Sequence, residues 1–427
     1  MRFFFFVSNI LLTNNYIKMR ASWFIFSMFI IFISIVDLTI FRLYIEPTIR
    51  KGKIKSFVKD VHWIVYGLFF LFFLLYTTMI PRIDGPEMYF WFSRLIAAFT
   101  LVYIPKLVIL IFSVIGAARY IGTMIFLRKI RKEHFIINKV GALLALILFI
   151  VMLYGFSIGR YDYRVKTVNV YSDKLPQSLD GLKLVHISDF HLGSYSEIYT
   201  GVTKAVKMVN ALNPDIIAFT GDMVNNFSSE MKPWMKDISA FKAKYGKYSV
   251  LGNHDYGHYV KWDNPGADSL NIATLIKYEK ECGFDVLNNE HRFLKIGNDS
   301  IAIAGVENWG LPPFPAYGDL DETLTGINPN DFTLLLSHDS NHWDAQVKAT
   351  HVDLMLAGHT HAMQMGIEIG SFKWSPAKYL YKYWDGLYQD KNKYLYVNRG
   401  LGYIAFPGRI LQRPEITVII LKSKLKE

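Results

Sequence analysis

Residues Leu182-Lys-Leu-Val-His-Ile-Ser-Asp-Phe-His191 decide how the rest of the chain is read. Leu182 to Ile187 is a short apolar run with β-branched members, the mark of a buried strand, and it ends in Ser188-Asp189-Phe190-His191. A helix is expected next, at about 196–212. Pro214 then introduces a second apolar run, Asp215 to Thr220, ending in Gly221-Asp222. Tyr248 to Leu251 ends in Gly252-Asn253-His254-Asp255, Phe332 to Leu336 in Ser337-His338, and Val352 to Ala357 in Gly358-His359-Thr360-His361. Open α/β sheets place their sites just beyond the carboxyl ends of strands. One strand-end Asp is ordinarily a helix cap. Five strands that each deliver Asp, Asn or His at that end point to one shared site.

The donor chemistry narrows what the site holds. Carboxylate, imidazole and amide oxygen without sulfur suit Mn, Fe, Zn or Mg. Seven donors (Asp189, His191, Asp222, Asn253, His338, His359 and His361) are too many for one ion with open positions, so two divalent ions are expected, manganese foremost. Residues two apart in an extended segment share a side. Asp189 and His191 can therefore grip one ion, while His359 and His361 reach the pair. A carboxylate must bridge, and Asp222 is the natural bridge. Two ions about 3.5–4 Å apart would hold a water acidified toward neutral pH for in-line attack on phosphorus.

These motifs resemble the calcineurin-like metallophosphoesterase family over about residues 182–422. The tail Asn398-Arg399-Gly400-Leu401-Gly402, Phe406-Pro407-Gly408-Arg409 and Pro414-Glu415-Ile416 resembles its membrane-associated bacterial branch of phosphodiesterases. The resemblance implies a four-layer αββα domain, two packed mixed β-sheets flanked by helices. It also implies that Asp189, His191, Asp222 and His361 hold the first metal, and Asp222, Asn253, His338 and His359 the second. His254 would stand over the phosphate as acid or transition-state donor, with Asp255 orienting it. Two departures stand out: Ala362-Met363 where some relatives carry Gly-Gly, and Asn225-Asn226 where an acidic residue is common. His186, His258, His342 and His351 read as surface or supporting residues.

The first third of the chain is of another kind. The 427 residues are 52% hydrophobic and only 19% charged, and the formal net charge is +11. Residues 1–160 hold 19 Lys and Arg against 6 Asp and Glu, so the basic excess is confined to an apolar region and does not indicate nucleic acid. Spans of about 20 apolar residues cross a bilayer. Four are expected: Ser22 to Phe41, Val61 to Ile80, Met88 to Ile115 and Val140 to Ile158. The apolar run 3–12 is too short to be a fifth. Arg50, Lys51, Lys53, Lys55 and Lys59 follow the first span; Arg119, Arg128, Lys129, Arg131, Lys132 and Lys139 follow the third. Basic loops stay in the cytoplasm, so the chain after Gly159 is expected outside it. Asp37, Arg94 and Lys106 fall within spans, and the reading gives them no role. The single cysteine, Cys282, excludes an internal disulfide and a cysteine zinc cluster.

The expectation is thus N-terminal transmembrane helices (1–159, about four), a linker and leading strand (160–181), and an α/β metallophosphoesterase domain (182–427). The protein would be a multi-pass membrane phosphoesterase acting on a phosphodiester or pyrophosphate, with membrane lipids as partners. A relative of the family cleaves the diphosphate of a UDP-linked diacylglucosamine, so a lipid-linked nucleotide sugar is one candidate and a cell-envelope diester another. Aromatics alternating with lysines from Phe372 to Lys393 could stack a base, meet a lipid interface, or pack as an ordinary hairpin. The alternatives are a phosphomonoesterase or protein phosphatase, and a membrane sensor or transport module that binds a phosphorylated ligand. The last predicts missing ligands or a lost His254, and all are present.

Overall fold

The computed structural model describes residues 15–46, 52–79, 86–127, 133–196, 200–262, 264–312, 314 and 316–424. Four helices come first: α1 (Asn15–Ile40, continued by a π-helical turn, Phe41–Ile45), α2 (Lys53–Met79), α3 (Pro86–Leu127) and α4 (Glu133–Ser157). All four are long and apolar enough to cross a membrane. The third outruns the expected end at Ile115. Gly116-Ala117-Ala118 does not break it, because two alanines outweigh one glycine in helix propensity, and Arg119 lies on the helix, not in a loop. Lys53, Lys55 and Lys59 likewise begin α2. The run 3–12, Arg50, Lys51, Asp84 and the basic residues 128–132 lie outside the described residues.

The chain forms two compact units, one of Met1–Gly85 with Leu95–Leu153, the other of Pro86–Arg94 with Tyr154–Glu427. In the first, Asp37 is fully buried. Lys106 Nζ donates to one of its carboxylate oxygens (2.5 Å) and Tyr103 Oη to the other (2.8 Å), while His62 Nε2 lies 3.2 Å from the Asp37 carbonyl. Charges inside a span pair with one another where neither reaches water. Asp37 and Lys106 do so across α1 and α3. Arg94 belongs to the second unit, where it donates to the Ser194 carbonyl (3.1 Å) and covers the Phe90 ring.

The second unit is built on two six-stranded sheets. The first runs in the order β1 (Arg164–Ser172), β14 (Glu415–Ser423), β2 (Lys183–Ile187), β3 (Ile216–Phe219), β4 (Gly246–Ser249), β5 (Asp285–Val286). β2 to β5 are parallel, and β14 enters antiparallel to β2. The second runs β12 (Gly386–Asp390), β13 (Lys393–Val397), β9 (Leu354–Ala357), β8 (Thr333–Leu336), β7 (Asp299–Gly305), β6 (Glu290–Ile296), parallel in its middle four. A separate hairpin pairs β10 (Ile367–Ile369) with β11 (Phe372–Trp374). The leading strand expected within 160–181 is β1.

Alternation assigns the faces. Leu184, Ile216 and Ala218 meet Ile303, Leu334 and Leu356 between the sheets. Val185, Ile217 and Phe219 point the other way, under α5 (Gly201–Ala211), α6 (Met235–Ser239) and α7 (Ala267–Glu281). Ala304, Leu335 and Met355 pack on the far side against Leu320, Leu324 and Trp343 of two short helices. Helix, sheet, sheet and helix form the four expected layers. Both central sheets are covered on each face, so their parallel strands read as unbroken apolar runs.

Glu279 on α7 is fully buried and accepts from Ser249 Oγ (2.6 Å) through one oxygen, while the other has no partner. Burial, helped by Asp255, pushes its carboxyl up to about 8 from an ordinary 4.5. The folded chain therefore keeps this proton between those values while the unfolded chain loses it, and stability drains as pH rises through that window. Glu279→Gln removes the loss. The variant is expected to unfold with the wild type near pH 4.5 and at a higher temperature by pH 8.5, with a gain on the order of a few kcal/mol. Thermal unfolding at both pH values checks it.

Candidate metal centre

The seven expected donors come from five strand ends and meet at one place. His361 Nε2 lies 3.2 Å from an Asp189 oxygen and 3.0 Å from His191 Nε2. His359 Nδ1 is 2.7 Å from Asn253 Oδ1 and 3.3 Å from His338 Nε2, which is itself 3.1 Å from Asn253 Oδ1. Asp222 joins the two groups: its Oδ2 lies 3.5 Å from His191 Nε2 and 3.2 Å from His338 Nε2. Its Oδ1 is occupied by the backbone N–H of His254 (2.8 Å). Ligand atoms of Asp189, His191, Asp222 and His361 all fall within 4.8 Å of one another, and all four residues are buried. Acceptor atoms outnumber protons at this point, and the donor set of nitrogen and oxygen fits divalent cations.

The backbone bends sharply to bring them together. Asp189, His191, Asp222, His359 and His361 all have positive φ, between 49° and 68°. Non-glycine residues adopt that conformation at a cost of order 1–3 kcal/mol each, and such residues cluster at functional sites. Ala362 and Met363, at φ 47° and 48°, stand where some relatives carry glycines, and here the strain falls on residues with a Cβ. Gly221, with φ 90°, cannot be replaced: a Cβ would lie 2.4 Å from Gly252 N and 2.9 Å from His338 Nδ1.

Electrostatics follow from the crowding. Burial works against charge on Asp189 and Asp222, but the surrounding imidazoles hold both well below the usual carboxylate range. Burial also lowers His191, His254 and His359. His338 alone is raised, to about 10, because Asp222 and Asp189 outweigh its burial. Buried carboxylates retain one imidazolium as their counter-charge, a place that a dication fills with release of the proton.

His254 stands at the open side, half-buried, its ring edge-on to His191 with centroids 4.9 Å apart. Asp255 does not orient that ring. Its carboxylate accepts backbone N–H groups of Asp222 (2.8 Å), Gly252 (2.8 Å) and Val224 (3.1 Å), which would otherwise be buried without partners. The Asn225 carbonyl, 2.8 Å from His254 Nδ1, takes the orienting role instead. A carbonyl only accepts, so the proton sits on Nδ1 and Nε2 is left to exchange one. No sequence signal marks that carbonyl. His186 lies between the sheets, 2.9 Å from Thr220 Oγ1; His342 bonds Ser337 and Gln346; His258 and His351 lie apart from the cluster.

Sequence reasoning also missed the residues that steady the donors. Tyr381 Oη is 3.2 Å from His359 Nε2, the ring atom turned away from the cluster, and Asn253 Nδ2 donates to Tyr259 Oη (2.7 Å). The tail motif supports the other half: Leu401 N and Gly402 N donate to the Ser188 and Asp189 carbonyls, and buried Arg409 donates to the Gly400 carbonyl and lies 3.3 Å from His361 Nδ1. Partners of this kind fix ring orientation and are worth about 10- to 100-fold in metal affinity. If an ion binds at Asn253, His338 and His359, Tyr381→Phe is expected to weaken it by that factor and spare one at Asp189, His191 and His361, giving two separated steps in a manganese titration followed calorimetrically.

A family model described as calcineurin-like phosphoesterase matches residues 182–363, and one described as the transmembrane domain of a probable calcineurin-like phosphoesterase matches residues 19–160. The metallophosphoesterase YkuE of Bacillus subtilis is 31% identical over 307 residues, 70% of this chain and 99% of that protein. A transmembrane protein with metallophosphoesterase domain from Danio rerio is 30% identical over 290 residues, 66% of this chain and 62% of its own length. The Bos taurus protein of the same description is 30% identical over 322 residues, 72% of this chain and 66% of its own. A site of buried Asp and His at strand ends, a four-helix membrane region and this similarity agree: the chain belongs to the calcineurin-like metallophosphoesterases.

Proposed function

We propose that this membrane-anchored phosphoesterase hydrolyses a phosphodiester or pyrophosphate bond on the outer side of the membrane, with two divalent ions held by Asp189, His191, Asp222 and His361 and by Asp222, Asn253, His338 and His359. The observation that carries the reading is the two-sided position of Asp222, whose Oδ2 faces both groups of donors while Oδ1 is pinned by a backbone N–H. Bound there, the ions supply Lewis acidity and a water acidified toward neutral pH. The chain's part is to place the donors without reorganisation, and to hold His254 Nε2 at the open edge, where it can take up a proton and, as the imidazolium, pass it to the departing oxygen. Asn225 fixes the ring for that transfer.

Manganese is taken as the ion to test first; imidazole, carboxylate and amide donors without sulfur suit Mn, Fe, Zn or Mg. The outer placement rests on the basic residues 50–59 and 128–139, which stay cytoplasmic by their charge and leave an even number of spans before residue 160. An outer site favours an envelope diester or a lipid-borne phosphate over a nucleotide sugar made inside.

The full chain in nanodiscs is expected to cleave bis(p-nitrophenyl) phosphate in preference to p-nitrophenyl phosphate, only with Mn²⁺ present, and to lose activity and metal together in Asp222→Asn. His254→Ala should keep its metal and lose about 10²- to 10⁴-fold in turnover. Preference for the monoester would overturn the diesterase reading, and an unchanged rate in His254→Ala would remove that residue's role. Protease access to residues after 160 from the cytoplasmic side alone would contradict the topology.

A further inference from the structure

The hairpin of β10 and β11 is amphipathic in the wrong sense for a soluble domain. Ile367 and Ile369 alternate with Glu368, and the register Ile367↔Trp374, Glu368↔Lys373, Ile369↔Phe372 puts four apolar side chains on one face and two charged ones on the other. The charged side chains are tied to buried partners in the domain, with Glu368 partly covered and Lys373 exposed. Glu368 accepts from buried Arg399 (2.8 Å), and Lys373 donates to buried Asp385 (2.9 Å), which Arg399 also grips through two nitrogens. Three of the four apolar side chains turn out, Ile367 39% exposed, Ile369 72% and Phe372 59%, with Tyr379 and Leu380 beside them at 70% and 53%, while Trp374 is partly covered. A two-stranded hairpin is marginal by itself. Here buried ion pairs hold it with its greasy side away from the protein, an arrangement that burial within the domain does not explain.

Its attachment says what covers it. The last turn of α4, which lies in the same compact unit, is bonded to the loop after Phe406: Arg409 N donates to the Gly155 carbonyl (3.1 Å), and the Phe156 and Phe406 rings lie 5.8 Å apart. The next residue, Ile410, exchanges backbone bonds with Gln364 and Gly366, directly before β10. The exit of a membrane span and the base of the hairpin are thus neighbours. Exposed Lys378 lies next to Tyr379 in the sequence, a charge that suits anionic headgroups, while exposed Lys382 is paired with Asp344 (2.6 Å). The same short stretch begins at His361, so the hairpin and the metal centre are one connected piece of chain.

We infer that the Ile367–Trp374 hairpin is a bilayer-docking surface, whose apolar face enters the headgroup layer of the membrane the chain spans and presents the metal centre to phosphoesters carried on lipids. The substrate half of this inference rests on the hydrolase reading above; the docking half does not. Interfacial segments bury Trp, Phe and Ile a few ångströms deep while lysines stay with the phosphates.

A nitroxide placed by Ile369→Cys in the full chain, in nanodiscs of phosphatidylcholine and phosphatidylglycerol, tests the docking half. Cys282 is buried, and the wild type labelled in parallel controls for it. Ile369 is expected to relax readily with oxygen and poorly with aqueous nickel chelate, while a label at exposed Leu270 on α7 shows the reverse. Nickel access at Ile369 equal to that at Leu270 would overturn the inference. So would dipolar broadening that disappears on dilution with unlabelled chain, which would mean that a second copy covers the face. For the substrate half, Ile369→Asp with Phe372→Asp is expected to lower hydrolysis of a fluorescent lipid phosphodiester in vesicles at least tenfold and to leave bis(p-nitrophenyl) phosphate cleavage unchanged. Equal loss on both substrates, or on neither, would overturn it. Absence of metal-dependent hydrolysis in the wild type would fail the hydrolase reading alone, because the label depth is measured independently of turnover.

Discussion

The structure depends on gathering two carboxylates, an amide oxygen and four imidazoles into a buried point where no solvent shields them. Left alone, such a cluster repels itself and strands acceptors without protons. The chain meets this constraint by making the scaffold rigid. Each donor leaves a strand of a sheet covered on both faces, so its position is fixed by an apolar core that has nothing to do with the chemistry. Five donors then sit in left-handed backbone, a local strain that the surrounding sheets over-determine. The cost is met by packing, and the benefit is a set of ligands that needs little reorganisation to receive ions.

The far ends of the chain close on that point. The loop from Asn398 to Gly402 bonds the backbone on either side of Asp189, while Arg409 lies against the His361 ring. Arg409 is also bonded to the last turn of α4, and Arg94 at the start of α3 reaches the loop that follows His191. The first turns of α3 and the last turn of α4, which belong to the same unit as the site, therefore touch loops that follow or bond its candidate ligands.

Much of this was legible in the sequence. Parallel strands buried on both faces read as short apolar runs, and the residues that end them stand out because Asp, Asn and His break those runs. The seven residues that meet at the strand ends and the four helices were legible for that reason. What escaped depends on contacts between distant positions. The Asn225 carbonyl orients His254 and has no side-chain signature, so the adjacent Asp255 was the natural but incorrect choice. Tyr381 belongs to an aromatic stretch in which nothing distinguishes it from exposed Tyr379. The hairpin 367–374 alternates like any half-buried strand pair, and only its partners Arg399 and Asp385, far along the chain, tie its charged side chains to the domain. Arg119 was misplaced because positive charge was read as the end of a span, whereas helix propensity carries α3 past it.

The central claim is that Asp222 stands between two ions. Anomalous diffraction from crystals of the full chain grown with Mn²⁺ tests it directly. The account predicts two peaks about 3.5–4 Å apart, one against Asp189, His191 and His361, the other against Asn253, His338 and His359, with Asp222 reaching both. A single peak, or two peaks of which only one touches Asp222, would contradict it.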